Sequence, residues 1–521
     1  MQSNRLRNNP SLSKGVESPG PVNRYRVGAP RKSPSADVLT IIPVRQTRDR
    51  NELKRDFEPA VFDTIRAEMN DNHFSAAEGE MRHVRTAGGR IGLVGMGKDH
   101  TDRSMYRWIG ACAVQMGRET KVESVVIVRG SIAEERWPQA AADIAEGSEL
   151  GSFTFSHYKH NSQKDRKARP LHLHFATDSA ATLFNTDLEQ AVTTAAATNF
   201  ARQLANHPPN VIHPGSLVQI CRSVAHQLHL KFRVITFAEA DRLSMGGLCS
   251  VGRGSPRRPA IIILEHAPAV SRVKPPIAVV GKAVTFDTGG ISIKPAADMG
   301  AMKYDKCGGM AAIGVAVAAA MLNLPQRVVC AIPTAENMPD GDAYRPGDII
   351  QMHNGKTVDV TNTDAEGRLI LADAISYICE EYKPKYLIDL ATLTGGIVTA
   401  LGGVYAGLMS NHDDLAAELV AAGERTDEWL WRLPLQRRYR KLLDSPHADM
   451  VNSGGREAQA IQGGMFLQEF VPDSVPWAHL DIAGVAHPRK EYRYLKGDQS
   501  SGFGVRLIVE LIKSGANHQR K

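Results

Sequence analysis

From about residue 210 onward, short apolar runs rich in β-branched residues alternate with longer segments of helical periodicity. Four of these runs predict buried strands: 260–264, 276–286, 327–332 and 386–391. The stretch 308–322 is almost continuously apolar and predicts a long helix. Alternating strands and helices are typical of a mostly parallel sheet. We therefore expect an α/β domain whose central sheet is flanked by helices.

The first half of the chain shows a similar alternation over shorter segments. Apolar runs such as 38–44 and 124–128 are separated by helical stretches rich in Arg and Glu, which predicts a smaller α/β domain. An alanine-rich helix is predicted at 186–205, ending where two prolines follow. The predicted organisation is a disordered basic tail at 1–35, an N-terminal α/β domain at 36–185, a linker helix and junction at 186–210, and a larger C-terminal domain at 211–521.

Positive charge is concentrated at the start of the chain. The 521 residues carry a net charge of +7, and residues 1–35 hold seven basic side chains against Glu17 alone, so they account for six of those charges. Prolines, Ser and Asn in the same stretch predict disorder. It has no apolar run typical of a secretory signal, and its prolines oppose the amphipathic helix of a transit peptide, which stays an alternative. No run reaches the roughly 20 apolar residues of a membrane span. We expect a cytoplasmic protein without a membrane partner.

Six cysteines are scattered along the chain and form no Cys-x-x-Cys pair. This usage is typical of a reducing compartment, where buried thiols act as small apolar side chains. Cys307 is the position to examine, because it follows Asp305 by two residues.

The octapeptide 362–369, NTDAEGRL, crowds two carboxylates and a guanidinium into five positions. If this stretch is extended, Asp364 and Glu366 point to the same side, and the repulsion between their carboxylates requires a cation. The alternative is an Asx-type turn followed by a helix start, where Glu366 would favour the helix dipole. The octapeptide alone leaves both interpretations open.

A second group of charges interrupts the apolar and glycine-rich segment 279–305. It includes Lys282, Asp287, Lys294 and Asp305. Charged side chains at the end of a buried strand need partners, and the acids of both segments could share two divalent ions. A lysine could join them only after its ammonium group loses a proton, which burial and nearby cations favour.

Four ordered sequence blocks carry a family resemblance. They are VGK at 280–282, FDTGGISIKP at 286–295, MKYD at 302–305 and NTDAEGRL at 362–369. Together they closely resemble the leucyl aminopeptidases, also called cytosol aminopeptidases. Further similar segments are NHPPN at 206–210, ATLTG at 391–395 and HLDIAG at 479–484. The resemblance covers the chain well from about residue 180 onward.

The resemblance implies a peptidase centre with two divalent ions, usually zinc, with manganese, magnesium or cobalt able to replace one. The five implied ligands are Lys282, Asp287, Asp305, Asp364 and Glu366. Asp287 and Glu366 would bridge the two ions. Lys282 and Asp305 would complete the tighter site, and Asp364 would complete the exchangeable one.

Two catalytic residues that bind no metal are also implied. Lys294 would stabilise the oxyanion, and Arg368 would hold a bicarbonate that acts as the general base. An arginine fork suits a planar anion because it can bind it in two places, which lysine cannot. Two ions could activate a water and hold a deprotonated peptide N-terminus, so the implied enzyme is an exopeptidase acting on peptide substrates.

The resemblance also implies a mostly apolar pocket that would fit leucine and other bulky aliphatic side chains. Its lining residues would be Met302, Thr392, Gly395, Ala483 and Ala486. Ordinary core packing is the alternative for each, and for Ala483 taken alone it is the favoured interpretation. Lys306 stands where a methionine is common in the family, and the loop 452–464 lacks the usual run of small residues. These departures bear on side-chain selectivity and leave the implied catalytic residues unchanged. Members of the family assemble as hexamers, which we expect here too.

The sequence lacks the signature motifs of other catalytic mechanisms. The chain has no His-Glu-x-x-His, no phosphate-binding loop and no Gly-x-Ser-x-Gly. His172 and His174 alternate on a likely strand, and His226 and His229 have helical spacing, where histidines are usually structural. The alternative hypothesis is a non-catalytic or moonlighting family member that binds DNA, to which the basic tail points.

Overall fold

The computed structural model describes residues 16–29, 37–46, 53–54, 57–70, 74–86, 89–98, 102–160, 170–272, 274–487, 494 and 499–518. The predicted tail falls outside these residues at 1–15 and at 30–35. The chain forms two compact units, one made mainly of Gly20–Ala196 and the other made mainly of Ala197–Tyr492 and Gly497–Lys521. This division lies within the stretch 186–210 that was predicted as linker and junction.

The first unit contains, within its described residues, a six-stranded sheet. Its strands are β1 (Arg24–Gly28), β2 (Val38–Val44), β3 (Met81–Thr86), β4 (Gly89–Gly95), β5 (Ser124–Ile127) and β6 (His172–Ala176). The spatial order is β1-β6-β5-β2-β4-β3, and only β3 with β4 is antiparallel. The helices of this unit are α1 (Pro59–Asn70), α2 (Arg103–Glu119) and α3 (Trp137–Ser152). The strands predicted at 38–44 and 124–128 are confirmed.

The prediction of a disordered tail is wrong for Arg24–Gly28, which forms the edge strand β1. This strand pairs in parallel with β6, and Arg24 lies opposite His172. Just before β1, the buried carboxylate of Glu149 accepts hydrogen bonds from the backbone N–H groups of Val22 (2.6 Å) and Asn23 (3.2 Å). Composition alone could not show this, because the pairing strand lies far along the chain.

The second unit is larger and contains the remaining strands. They are β7 (Lys231–Ile235), β8 (Ala260–His266), β9 (Ile277–Gly281), β10 (Ala283–Asp287), β11 (Val328–Asn337), β12 (Ile349–Gln351), β13 (Thr357–Asp359), β14 (Tyr386–Ala391), β15 (Ala406–Ser410), β16 (Leu430–Arg432), β17 (Met450–Val451) and β18 (Trp477–Asp481). The main sheet has the order β16-β15-β18-β14-β9-β11-β8-β7, with β10 beside β11, and β12, β13 and β17 form a small separate sheet. The central strands β18, β14, β9, β11 and β10 are parallel. The expected mostly parallel sheet is confirmed.

The remaining helices follow α3 along the chain, and several of them pack on this sheet. They are α4 (Thr182–Asn206), α5 (Pro214–Leu228), α6 (Phe237–Arg242), α7 (Gly246–Arg253), α8 (Cys307–Met321), α9 (Gly367–Tyr382), α10 (Gly395–Leu401), α11 (Asp413–Thr426), α12 (Gln459–Gln468) and α13 (Val505–His518). The helices predicted at 186–205 and 308–322 form as α4 and α8. The predicted strand at 276–286 forms as two strands, β9 and β10, which are separated at Lys282.

The core of the second unit lies on both faces of the main sheet. Along β9, Ile277 and Val279 belong to the hydrophobic cluster that contains α8, whereas Ala278 and Val280 belong to the cluster that contains α9. A parallel strand that is buried on both faces has a continuous apolar sequence, and this continuous run is what predicted the strand. No helix within the described residues combines the length and apolar character needed to cross a bilayer.

Candidate metal centre

The break between β9 and β10 places Lys282 at the carboxyl end of the central strands. Its backbone N–H donates to the carbonyl of Leu390 (3.0 Å), and its carbonyl accepts from Gly309 (2.6 Å) at the start of α8. This approach requires glycines, since a side-chain carbon at Gly281 would lie 2.3 Å from the carbonyl oxygen of Gly308. The glycines therefore let α8 begin directly against the strand ends.

The buried ammonium group of Lys282 joins three segments of the chain. Its Nζ lies 2.9 Å from Asp305 Oδ1 and 2.8 Å from Glu366 Oε1, and it donates to the carbonyl of Thr392 (3.0 Å). Gly367 leaves room for it, because a side-chain carbon there would lie 2.6 Å from Nζ. Two predicted ligands thus lie in direct contact with the predicted lysine ligand.

Three carboxylates converge beside this lysine. Oxygen atoms of Asp287, Asp364 and Glu366 all lie within 4.8 Å of one another. Lys294 Nζ lies 2.9 Å from Asp287 Oδ2 and also forms an ion pair with Asp364. The structure therefore brings the five predicted ligands and Lys294 into one connected cluster.

The octapeptide 362–369 forms a turn followed by a helix. The backbone N–H of Asp364 donates to Asn362 Oδ1 (2.9 Å), which is an Asx turn, and α9 begins at Gly367. The extended conformation considered above is therefore wrong, and the Asx-turn alternative describes the backbone. Glu366 precedes the helix, but its side chain makes no capping hydrogen bond. Its carboxylate instead faces Lys282, so the turn and the clustered acids coexist.

Three residues that the sequence reasoning missed hold this turn in place. Asn337 Nδ2 donates to Asp287 Oδ1 (2.9 Å) and to the carbonyl of Thr363 (3.0 Å), which also accepts from the Tyr344 hydroxyl (2.7 Å). The Thr363 hydroxyl donates to the carbonyl of Gly289 (2.6 Å). The available signal was Asn337 itself, a buried amide at the end of the apolar strand β11.

The cluster holds more negative than positive charge. Four carboxylates face two ammonium groups. Burial, with the charges of Glu366 and Asp287, raises the pKa of Asp364 to about 6. Burial would lower the pKa of Lys282, but Asp305 and Glu366 outweigh it and raise that pKa. The excess of carboxylates would be balanced by added cations.

The donor set fits divalent metal ions. Oxygen-rich sets of carboxylates suit hard or borderline divalent cations. In addition, Asp305 Oδ2 is buried and has no hydrogen-bond partner among the described residues. A buried carboxylate oxygen without a partner is costly unless a cation satisfies it. Asp287, Asp364 and Glu366 together with Asp305 thus provide a site that such ions would complete.

Arg368 lies next to the cluster at the start of α9. Its side chain is 3% exposed, its Nη1 donates to the carbonyl of Asn452 (2.8 Å), and it lies over the ring of Phe466. Burial lowers its pKa to about 10. No carboxylate of the described residues forms an ion pair with it, and its Nε has no hydrogen-bond partner among them. A buried guanidinium of this kind is suited to bind a small anion.

Four of the predicted pocket residues follow β14 or β18 along the chain, and Met302 precedes Asp305 by three residues. Thr392 donates its hydroxyl to Asp305 Oδ1 (2.7 Å), and Gly395 begins α10 with an exposed backbone. Met302 and Ala483 are half-buried. Ala486 is 1% exposed and packs in the hydrophobic core, which matches the core-packing alternative. The pocket assignment itself stays a prediction for the other four residues.

Lys306 and Cys307 have structural surroundings. Lys306 is completely buried and donates to the carbonyls of His207 (3.0 Å) and Lys303, while burial lowers its pKa to about 7. Burial raises the pKa of Cys307 to about 11, and its Sγ lies 3.6 Å from Ser500 Oγ. All six cysteines are buried and free. Within the described residues, no histidine belongs to a cluster that could hold a metal.

Comparison with protein families gives two consecutive matches. Residues 199–509 match the catalytic domain of the cytosol aminopeptidase family, and residues 42–162 match the N-terminal domain of the same family. A probable cytosol aminopeptidase of Rhizobium etli is 42% identical over 432 residues, covering 82% of this chain and 85% of the relative. One from Roseiflexus castenholzii is 41% identical over 430 residues, covering 81% and 87%.

Solved structures show the same architecture. The bottromycin maturation enzyme BotP in complex with Mn has a TM-score of 0.80 and 31% sequence identity, covering 92% of this chain and 100% of that enzyme. A mutant of tomato leucine aminopeptidase has a TM-score of 0.84 and 29% identity, covering 97% of each chain.

Proposed function

Because this chain belongs to the cytosol aminopeptidase family and is a metallo-aminopeptidase, we propose that it releases leucine and other bulky apolar residues from the N-termini of peptides. The observation that carries the proposal is the cluster in which Asp287, Asp364 and Glu366 converge within 4.8 Å. Lys282 and Asp305 extend this cluster, so that side chains of the types expected for a two-metal centre lie together.

We assign the metal ligands as the resemblance implies. Asp287 and Glu366 would contact both ions, Lys282 and Asp305 would hold the tighter ion, and Asp364 would hold the exchangeable one. Zinc or manganese, with magnesium or cobalt as substitutes, would suit this oxygen-rich set. When bound, two such ions would acidify a water molecule and polarise the scissile carbonyl.

The two residues assigned to catalysis act beside the metals. Lys294 is 22% exposed in its side chain and reaches Asp287 and Asp364, which supports a role in placing positive charge where the oxyanion develops. Such a donor is worth roughly 3 kcal/mol if it resembles an oxyanion-hole group. Arg368 has unused donors and no carboxylate partner among the described residues, which supports its role in holding bicarbonate as the general base.

Selectivity and assembly are finer parts of the proposal. The side chain of the substrate's first residue would be bordered by Thr392, Gly395, Met302 and Ala483. The BotP structure shows that a bottromycin maturation enzyme has this same architecture, so the fold alone does not set the substrate. We also propose a hexamer in the cytoplasm. Light scattering coupled to size-exclusion chromatography tests the assembly, and a fully active monomer would refute it.

A panel of aminoacyl amides, measured with metal content on the same sample, tests the activity. We expect leucyl amide to be among the best substrates, and we expect chelation to abolish turnover that manganese or zinc restores. The double variant Asp364→Ala with Glu366→Ala should be inactive. The exposed pair Asp413→Ala with Glu424→Ala on α11 is a matched control that should retain activity. Turnover surviving the first double variant would refute the two-metal proposal.

A further inference from the structure

Strand β18 carries three buried polar side chains on one face. Trp477, His479 and Asp481 are each 0% exposed, and alternate residues of a strand share a face. His479 lies opposite Asp389 of β14, and its Nδ1 is 2.6 Å from Asp389 Oδ1. Trp477 Nε1 donates to Asp389 Oδ2 (2.7 Å). The imidazole is thus held in place by a carboxylate that is itself oriented.

A second set of contacts leads from β18 toward the arginine of the site. Asp481 accepts hydrogen bonds from the Thr394 hydroxyl (2.6 Å) and from the backbone of Leu393 (3.1 Å). A side-chain carbon at Gly463 would lie 3.5 Å from Thr394 Cγ2 and 3.7 Å from Arg368 Nη2. The Thr394 side chain and the guanidinium therefore border the same glycine. The Thr394 hydroxyl at the same time contacts Asp481.

Within the described residues, neither Arg368 nor Asp481 has an oppositely charged partner in direct contact, although both are buried. A buried carboxylate near a buried guanidinium normally pairs with it, because each would otherwise remain uncompensated. Here Asp481 is bound by neutral donors, and the nearest candidate for charge compensation is His479, two residues earlier on the same face. Charges would then alternate along Asp389, His479, Asp481 and Arg368.

We propose that His479, held by Asp389, is a positioning residue for the anion site at Arg368. The positive charge of His479 offsets the negative charge of Asp481. The guanidinium of Arg368 therefore keeps its donors for a small planar oxyanion such as bicarbonate. This inference rests on the proposed function, in which Arg368 holds that anion.

The electrostatic surroundings support a charged imidazole. Burial would lower the pKa of His479, but Asp389 and then Asp481 raise it above the ordinary value, while Arg368 opposes them. These groups come from β14, from β18 itself and from α9. The second ring nitrogen, Nε2, is buried and has no hydrogen-bond partner among the described residues. Among the described residues, the contact that holds the ring is therefore the one between Nδ1 and Asp389.

The test measures bicarbonate binding to the metal-loaded protein by calorimetry in bicarbonate-free buffer. His479→Gln removes the charge while keeping a side chain of similar size. We expect its Kd for bicarbonate to rise roughly tenfold, because a positive charge that interacts electrostatically with Arg368 is lost from a partly screened interior. The half-saturating bicarbonate concentration for turnover should rise in parallel, whereas KM for leucyl amide should stay unchanged. If His479 had a purely structural role, its replacement would lower stability without raising the Kd for bicarbonate selectively over the KM for leucyl amide.

Companion variants keep the result independent of folding problems. Asp389→Asn retains the imidazole and should weaken bicarbonate binding in the same direction. Asp481→Asn should tighten it and should restore binding when combined with His479→Gln. His266→Gln is the matched control, because it removes another buried histidine of the same sheet, bonded to the carbonyl of Leu324 (2.7 Å), and it should leave the Kd unchanged.

Two results would overturn the inference, and they differ in their meaning for the proposed function. Wild-type bicarbonate affinity in both His479→Gln and Asp389→Asn would overturn the positioning role alone. Absence of bicarbonate binding to the wild-type protein, with Arg368→Ala unchanged in turnover, would overturn both this role and the anion assignment at Arg368. Chelator-sensitive hydrolysis would then still report on the metal centre separately.

Discussion

Replacing Gly367 with alanine would place a methyl group against the side chain of Lys282. The added carbon would lie 2.5 Å from Cε and 2.6 Å from Nζ, whereas ordinary contact begins at 3.4 Å. The ammonium group would therefore have to move by about 0.8 Å, the difference between 3.4 and 2.6 Å. That movement would disrupt its contacts with Asp305 (2.9 Å) and Glu366 (2.8 Å).

We expect Gly367→Ala to impair the metal site more than it lowers the stability of the fold. Overpacking typically costs about 1–3 kcal/mol, and the better helix propensity of alanine offsets up to about 1 kcal/mol of this. A displacement near 1 Å at a catalytic centre can lower turnover about 100-fold. We therefore expect Gly367→Ala to fold with a modest loss of stability, to bind metal more weakly and to lose most of its turnover.

The assay combines chelator competition for metal affinity, kcat on leucyl amide and thermal unfolding of the metal-free protein. Gly341→Ala is the matched control, because a side-chain carbon there would meet nothing within 4 Å, and it should behave like the wild type. If Gly367→Ala retained wild-type metal affinity and turnover, the close approach of Gly367 to Lys282 would not matter for the centre, and this reasoning would be refuted.

Three further predictions concern neighbouring residues. Arg368→Lys should keep both metals, measured by elemental analysis, but lower kcat, because an ammonium group cannot hold a planar anion in two places; wild-type kcat would contradict this. The pKa of Asp364 is raised to about 6, so the metal-free fold favours its protonated form, and the stability that this carboxyl contributes is present at low pH and is lost as pH rises through about 6. Because metal binding needs the carboxylate, metal titrations should show weaker binding below that pH. A metal affinity that does not change with pH would contradict the assignment. Asn337→Ala should lower thermal stability by about 1–3 kcal/mol, because Asp287 Oδ1 and the Thr363 carbonyl would each lose one buried donor, and an unchanged unfolding midpoint would argue against that support.

Local sequence patterns were sufficient where structure depends on burial or on short motifs. The strand at 386–391 and the helix at 308–322 formed close to their predicted limits, because continuous apolar runs can be satisfied only by burial on both sides. The prediction failed for Arg24–Gly28, where composition indicated disorder. Edge pairing with β6 is a contact between distant segments, and composition contains no information about it.

The sequence by itself determined the family, the alternating α/β architecture and the types of side chain available at the centre, because these depend on short motifs and on hydrophobic periodicity. Only the tertiary structure decided how they meet. It showed that Asp364 and Glu366 converge from a turn and a helix start, that Asn337 holds that turn, and that Ala486 lies in the core. The physical reason is that a carboxylate's neighbours in space come from separate strands and loops, and their distances are set by packing of the whole sheet.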